Sequence, residues 1–330
     1  MHDTFTLLVF VIVLALVFDF INGFHDTANA IATSVSTRVL SPKVAVAMAA
    51  VLNIAGAFAG TAVAKMVGSG LVEATSITQV TVISALLSAI IWDLITWYFG
   101  LPTSSSHAIL SSLVGASIAT AGTGVIITKG VIKILMGLFL SPVVGLLLGF
   151  LLMHLLIRIF RHFSPALVSK IFNRSQVVSA AYMAFSHGNN DAQKTMGIIT
   201  MALVSYYQLP DFHVPFWVIF LCASAMGLGT AFGGWRIIKT LGVRLVNLRP
   251  IHGFAAEAST ATVIEVASRF GLPLSTTHII SSTIMGVGAS KRLSAVRWGV
   301  GGNIVLAWVI TLPACAILAW VVCKAIHVLL

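Results

Sequence analysis

The chain has 330 residues, of which 58% are hydrophobic and only 8% charged, at a mean hydropathy of +1.03. A water-soluble protein carries about 25% charged residues to cover its surface, so this composition excludes an ordinary soluble domain and points to the bilayer as the solvent. The formal net charge of +10 is spread as short Lys/Arg clusters between apolar runs, with no RNA- or DNA-binding motif beside them, which excludes nucleic acid as the partner.

The first apolar run covers residues 6–37 and has no basic segment before it. Asp19 and Asn22 stand where a leader cleavage site would be sought, so the run is expected to be the first membrane span. It exceeds the roughly 20 residues that a straight helix needs to cross hydrocarbon, and the pair Asn22-Gly23 predicts a break inside it. The residues that follow are Phe24-His25-Asp26-Thr27-Ala28-Asn29-Ala30. Asp26 and Asn29 share a face if the chain resumes as a helix. Carboxylate and carboxamide oxygens suit a hard cation or a proton relay, and an ionisable group inside a span is a functional candidate by default. The simpler reading makes Asp26 the cap of the resumed helix.

Further spans are predicted at 44–67, 80–99, 104–121 and 131–157. Between the third and fourth lies Gly100-Leu101-Pro102-Thr103-Ser104-Ser105-Ser106-His107. Proline followed by hydroxyl residues reads as a helix start. The positive end of a helix with a row of N–H and O–H donors is a ready anion site. Thr103, Ser104, Ser105 and Ser106 are therefore candidate anion ligands, although Ser and Thr also serve as small packing residues between membrane helices. Asp93 is a further buried acid ahead of this run, with no role that spacing assigns.

A basic linker, 158–176, carries Arg158, Arg161, Lys170 and Arg174 and is expected in the cytoplasm. Both termini are then expected outside. Five more spans follow, at 177–207, 214–235, 252–270, 275–289 and 298–324. Within the first of them lies Ser186-His187-Gly188-Asn189-Asn190-Asp191-Ala192-Gln193-Lys194, a polar stretch in an apolar run. Asn190 and Asp191 are candidate cation ligands and Lys194 a candidate anion ligand, unless Asp191 and Lys194 merely neutralise each other. Then comes Gly271-Leu272-Pro273-Leu274-Ser275-Thr276-Thr277-His278, where Ser275, Thr276 and Thr277 repeat the earlier hydroxyl run.

Gly23–Asp26 corresponds to Gly188–Asp191, and Gly100–His107 to Gly271–His278, in the same order and at nearly equal separations. This indicates duplication, with one repeat at 1–157 and the other at 177–330. Five crossings in each would set the repeats in opposite orientations, the inverted plan of many secondary transporters, with substrate held at the repeat interface. The fold expected is an all-α polytopic membrane protein of about 10–12 transmembrane or re-entrant segments, with broken helices.

These linked motifs resemble the PiT family of inorganic phosphate transporters, over nearly the whole chain. The resemblance implies a re-entrant character for the two Ser/Thr runs and inorganic phosphate as substrate. His25 stands where the family's general pattern has Asn, which resembles the bacterial low-affinity branch of the cytoplasmic membrane. That branch implies proton symport of a neutral metal–phosphate complex. No cofactor or enzymatic activity is expected. The proton is the expected coupling ion, with sodium as the alternative, and a homodimer is among the expected assemblies. Sulfate or another oxyanion is the alternative cargo, and an anion channel the alternative class.

Overall fold

In the computed structural model, which describes residues 2–73 and 77–329, the chain is helical almost throughout, with no strand among the described residues. The first half holds α1 (His2–His25), α2 (Thr27–Ser36), α3 (Pro42–Ala57), α4 (Ala62–Ser69), α5 (Gln79–Phe99), α6 (Ser105–Ala121) and α7 (Thr128–Phe160). The second holds α8 (Pro165–Tyr207), α9 (Phe216–Phe232), α10 (Trp235–Lys239) with a π-helical continuation (Thr240–Leu245), α11 (Pro250–Arg269), α12 (Thr276–Lys291) and α13 (Trp298–Leu329).

The order of elements recurs between the halves. Each has a long entry segment (α1 with α2, and α8), a pair bent sharply at a short break (71° between α3 and α4, 59° between α9 and α10), and a helix of 21 or 20 residues (α5 and α11). Each then has a short helix, a single 3-10 turn and a closing helix of more than 30 residues. Even the two isolated backbone bridges, Val72 with Ile126 and Val246 with Val296, fall at corresponding corners. The closing helices are exchanged: α7 packs on α12, and α13 on α6.

Four helical stretches are long and apolar enough to cross a bilayer, or six if each bent pair is one span. Of the other expected crossings, α6 and α12 have only 17 and 16 residues. At about 1.5 Å per residue they fall short of the hydrocarbon thickness. The hydrophobic ordering is that of a membrane protein. Phe10, Val13, Phe139, Leu151, Phe220, Val309 and Ile317 face outward, while Asp19, Asp26, Asp93, Asp191, Lys194 and Glu257 are buried. A soluble protein would present so large an apolar surface only as an interaction site.

Two sequence expectations change here. The first span breaks at Asp26 and not at Asn22-Gly23, because α1 continues through His25. Gly23 serves close packing: a Cβ there would lie 2.3 Å from the Met226 carbonyl oxygen, where α1 crosses α9. The repeat correspondence of Gly188–Asp191 with Gly23–Asp26 would put a second break in the other polar stretch, but α8 runs through it unbroken from Pro165 to Tyr207. The basic stretch 158–176 is also mostly helical, as the end of α7 and the start of α8 flank a short turn.

Candidate substrate and cation site

The two hydroxyl runs start helices as their sequence predicts. Ser104 is the N-cap of α6, its hydroxyl accepting from the His107 amide at 3.2 Å, and Ser275 caps α12 by accepting from the His278 amide at 3.1 Å. These two side chains are thus occupied in holding the helix starts. The first turns behind them present Ser105 and Ser106 on α6, and Thr276 and Thr277 on α12. The two N-termini lie side by side, with the His107 and His278 rings 4.6 Å apart between centroids. His278 is also stacked on Trp308, whose indole N–H donates to the Pro102 carbonyl at 2.9 Å, so both histidines belong to the packing of this junction.

The polar segments of α1–α2 and α8 reach these helix starts from opposite halves. Asn29 donates to the Thr276 hydroxyl at 3.2 Å and to the Thr277 hydroxyl at 2.9 Å. Thr276 donates to Asp191 at 3.1 Å, and Thr277 to Asp26 at 3.5 Å. Lys194 Nζ donates to Asp191, to Ser106 and, at 3.1 Å, to the Leu274 carbonyl. The Asp191–Lys194 ion pair expected as the simpler reading is therefore present, yet the ammonium also ties α6 to the residue ahead of α12. Asp26 sits at the N-cap position of α2 but makes no side-chain capping bond, which sets aside the capping role considered for it. Its carboxylate meets His25 Nδ1 at 2.7 Å, and His25 Nε2 lies 3.1 Å from the Thr96 hydroxyl on α5.

Three ligand atoms, one each from Asp26, His187 and Asp191, lie within 4.8 Å of one another and could hold a metal ion. His187 Nε2 is 3.3 Å from Asp191, and its Nδ1 is 3.1 Å from the Asn53 side-chain oxygen. Asn53 in turn donates to the Thr230 hydroxyl at 2.9 Å, so α3 and α9 orient the imidazole as an outer layer. His187 is absent from the residues that sequence reading gave to the site. Its signal was the spacing of four residues from Asp191 on one helix face.

The remaining candidates lie apart from this centre or lack a protein partner. Asn190 points to α11, donating to Ser268 at 2.8 Å, while its side-chain oxygen has no partner. The Thr103 hydroxyl is buried without a partner. Ser105 is turned toward Asp93 without a well-formed hydrogen bond, and both Asp93 carboxylate oxygens are likewise orphaned. All these groups are buried, so the centre is closed to solvent. It combines two helix N-termini rich in donors with a cluster of carboxylates. Such a centre can take an anion and a cation together, because each ion lowers the cost of burying the other.

A polytopic helical membrane protein with paired helix starts and acidic segments at its buried centre is the architecture of a membrane carrier. Residues 22–319 match the Phosphate transporter family, and the chain belongs to that family. It is 49% identical over 315 residues to a Bacillus subtilis protein described as "Probable low-affinity inorganic phosphate transporter", covering 94% of this chain and 95% of that one. A Rhizobium meliloti protein of the same description is 48% identical over 317 residues, covering 96% and 95%. The solved structure of "The sodium-dependent phosphate transporter" superposes with a TM-score of 0.89 at 24% identity, covering 98% of this chain and all of the other, and so shares the fold.

Proposed function

We propose that the protein imports inorganic phosphate across the bacterial cytoplasmic membrane by cation symport, with the proton as the coupling ion. The observation that carries this reading is the convergence of both acidic segments on the hydroxyl-rich helix starts, with Asp26 and Lys194 reaching across the halves and Asp191 meeting the helix start of its own. Asp191 meets Thr276, Asp26 meets Thr277, and Lys194 joins Ser106 to the Leu274 carbonyl. Phosphate would take the first-turn hydroxyls and amides of α6 and α12 with the Lys194 ammonium, and a cation would take the carboxylates beside it. An anion at this depth needs such a neutralising partner, since an unpaired buried charge is costly.

A divalent metal travelling with phosphate as a neutral complex fits the same centre. The Asp26, His187 and Asp191 set mixes oxygen and imidazole nitrogen, a donor set that suits a divalent cation better than sodium. The metal is then cargo. The proton has its place at His25, the side-chain type whose unperturbed pKa of about 6.5 lies nearest cytoplasmic pH. His25 bridges Asp26 to Thr96, so its protonation state bears directly on the Asp26 carboxylate. The recurring element order supports two inverted repeats that rock about the centre, with the basic loops inside, both termini outside and a homodimer as the assembly.

Sodium is the second reading, favoured by the acid pair itself and by the name of the protein that shares the fold. The deciding experiment is radiolabelled phosphate uptake by purified protein in liposomes, under a proton gradient, a sodium gradient or neither, with and without Mg2+. Accumulation driven by the proton gradient and abolished by an uncoupler is expected. Accumulation that needs sodium and ignores the uncoupler overturns the proton assignment. Mere equilibration points to a channel, and uptake of sulfate in place of phosphate moves the cargo to another oxyanion.

A further inference from the structure

Away from the centre, the corner between the π-helical segment, the start of α11 and the end of α12 forms a cleft of about 250 Å3. Arg249, Lys291, Arg292 and Arg297 line it, together with Asn247, His252 and Ser294, and no carboxylate is among its lining residues. None of the four cations takes part in an ion pair among the described residues. A fifth, Arg244, is adjacent, its carbonyl accepting from Arg297 at 3.3 Å. The first turn of the 20-residue α11, with Pro250 at its start, opens at the same place and adds the positive end of a helix.

The duplicated architecture supplies an internal control. The corresponding corner of the first half is closed by the bridge of Val72 with Ile126, as this one is by Val246 with Val296. There, α6 is followed by Gly122-Thr123-Gly124-Val125 with no cation, and the residue after Val72 is Glu73. Neither the bridge nor the 3-10 turn therefore requires basic side chains. A general bias of Lys and Arg toward the cytoplasmic loops accounts for their presence on this side of the membrane. It does not account for four of them converging on one concavity, where they repel each other unless something neutralises them.

We propose that this cleft is an anion-binding site for a phosphoryl group, separate from the transport centre. Basic pockets at the cytoplasmic ends of membrane helices bind phospholipid headgroups, and guanidinium groups match phosphate oxygens in bidentate fashion. The occupant would hold α11 and α12 together at this corner. Both helices run from here to the centre, α12 starting at Thr276 and α11 ending near Ser268, so occupancy is placed to influence transport. The same chemistry comes from an anionic lipid or from free cytoplasmic phosphate.

The test compares full-length wild-type protein with Lys291→Gln/Arg292→Gln, two exposed positions, and with Lys170→Gln/Arg174→Gln, which removes the same charge from a basic surface outside the cleft. The lipid arm measures the thermal unfolding midpoint in nanodiscs of phosphatidylcholine alone or with phosphatidylglycerol. The phosphate arm measures the stoichiometry of inorganic phosphate binding in phosphatidylcholine alone. A stabilisation by phosphatidylglycerol that is lost in the cleft variant and kept in the control identifies a lipid headgroup. A second bound phosphate that disappears only in the cleft variant identifies the free anion. Equal behaviour of all three proteins in both arms, or equal loss in both variants, overturns the site. An Arg249→Gln/Arg297→Gln variant repeats the comparison from the opposite wall should the first variant express poorly.

Discussion

The two acidic segments occupy corresponding places in the repeats, but they are built differently. In the first half the helix is interrupted at Asp26, and the residue one turn on is the neutral Asn29, which donates to Thr276 and Thr277. In the second the helix is continuous, and the residue one turn on from Asp191 is Lys194, which donates to Ser106. His25 precedes the first acid and Asn190 the second. Each half thus reaches across to the helix start of the other, one with an amide and one with a charge. The duplication provides the frame, and on the function proposed above these exchanges would separate the roles of the halves: Lys194 would answer an anion, while the first half would keep an acid and an imidazole for a proton.

That division is tested most severely at the acids. Asp191→Asn should abolish gradient-driven phosphate uptake and also destabilise the fold, because it leaves the buried Lys194 ammonium unpaired. Removing one partner of a buried pair costs about 3–5 kcal/mol. Asp26→Asn should abolish uptake with much less loss of stability, since its neighbours are His25 and a hydroxyl. Uptake and detergent thermal unfolding, measured on both variants, check the contrast. Equal destabilisation would mean that the halves are energetically alike, and near-normal concentrative uptake in either variant would remove that acid from the mechanism.

A smaller effect is expected where the frame itself is shared. A Cβ at Gly188 would lie 2.2 Å from the Asn53 carbonyl oxygen, and one at Gly23 lies 2.3 Å from that of Met226. Gly188→Ala and Gly23→Ala should each cost about 1–3 kcal/mol by overpacking, to a similar degree if the crossings of α3 with α8 and of α1 with α9 are equivalent. Unfolding midpoints of the two variants give the comparison directly.

For the hydroxyl runs the halves should again diverge. Ser105 faces only the Asp93 carboxylate, without a well-formed hydrogen bond, whereas Thr276 is shared between Asn29 and Asp191. A hydrogen bond to a charged group contributes about 1.5–3 kcal/mol, so losing one raises the phosphate KM about tenfold or more. Ser105→Ala should raise KM with normal yield, and Thr276→Ala should raise KM and lower the folding yield together. An unchanged KM in Ser105→Ala, measured in liposomes, would return this run to helix packing.

Much of this centre is legible in the sequence because its motifs come twice. Pro102 and Pro273, each with a hydroxyl run within two residues, mark helix starts that the structure places at Ser105 and Thr276. The acids, Asn29 and Lys194 converge with Ser106, Thr276 and Thr277 as their repeat positions suggest. What misled was the assumption that a glycine in a polar segment breaks a helix. Gly23 and Gly188 both lie within helices, at points of close approach to another backbone, and that demand is set by a neighbour remote in sequence. The sharp bends of α3–α4 and α9–α10 were missed for the opposite reason: Ala59-Gly60 and Gly233-Gly234 sit in apolar runs that hydropathy joins into one span. His187 lies outside the predicted site because its value lies in partners on other helices, Asn53 and the facing Asp26.

The finest prediction makes the halves more alike. His25→Asn gives the first acid the same preceding residue that Asp191 has in Asn190. Asparagine can still donate to Asp26 or Thr96, but it cannot gain or lose a proton in the physiological range. The His25 ring now spans 2.7 Å to Asp26 and 3.1 Å to Thr96, and Thr96 itself donates to the Asp93 carbonyl at 3.2 Å. The variant should therefore fold and bind phosphate, while its uptake loses dependence on external pH across the range where histidine titrates. The measurement is initial uptake against external pH at fixed internal pH, with choline replacing sodium. A flattened profile with retained phosphate exchange assigns the pH dependence to His25. A profile of unchanged shape shows that the imidazole only shapes the turn at Asp26, and the orphaned carboxylate of Asp93 one turn away becomes the next residue to replace.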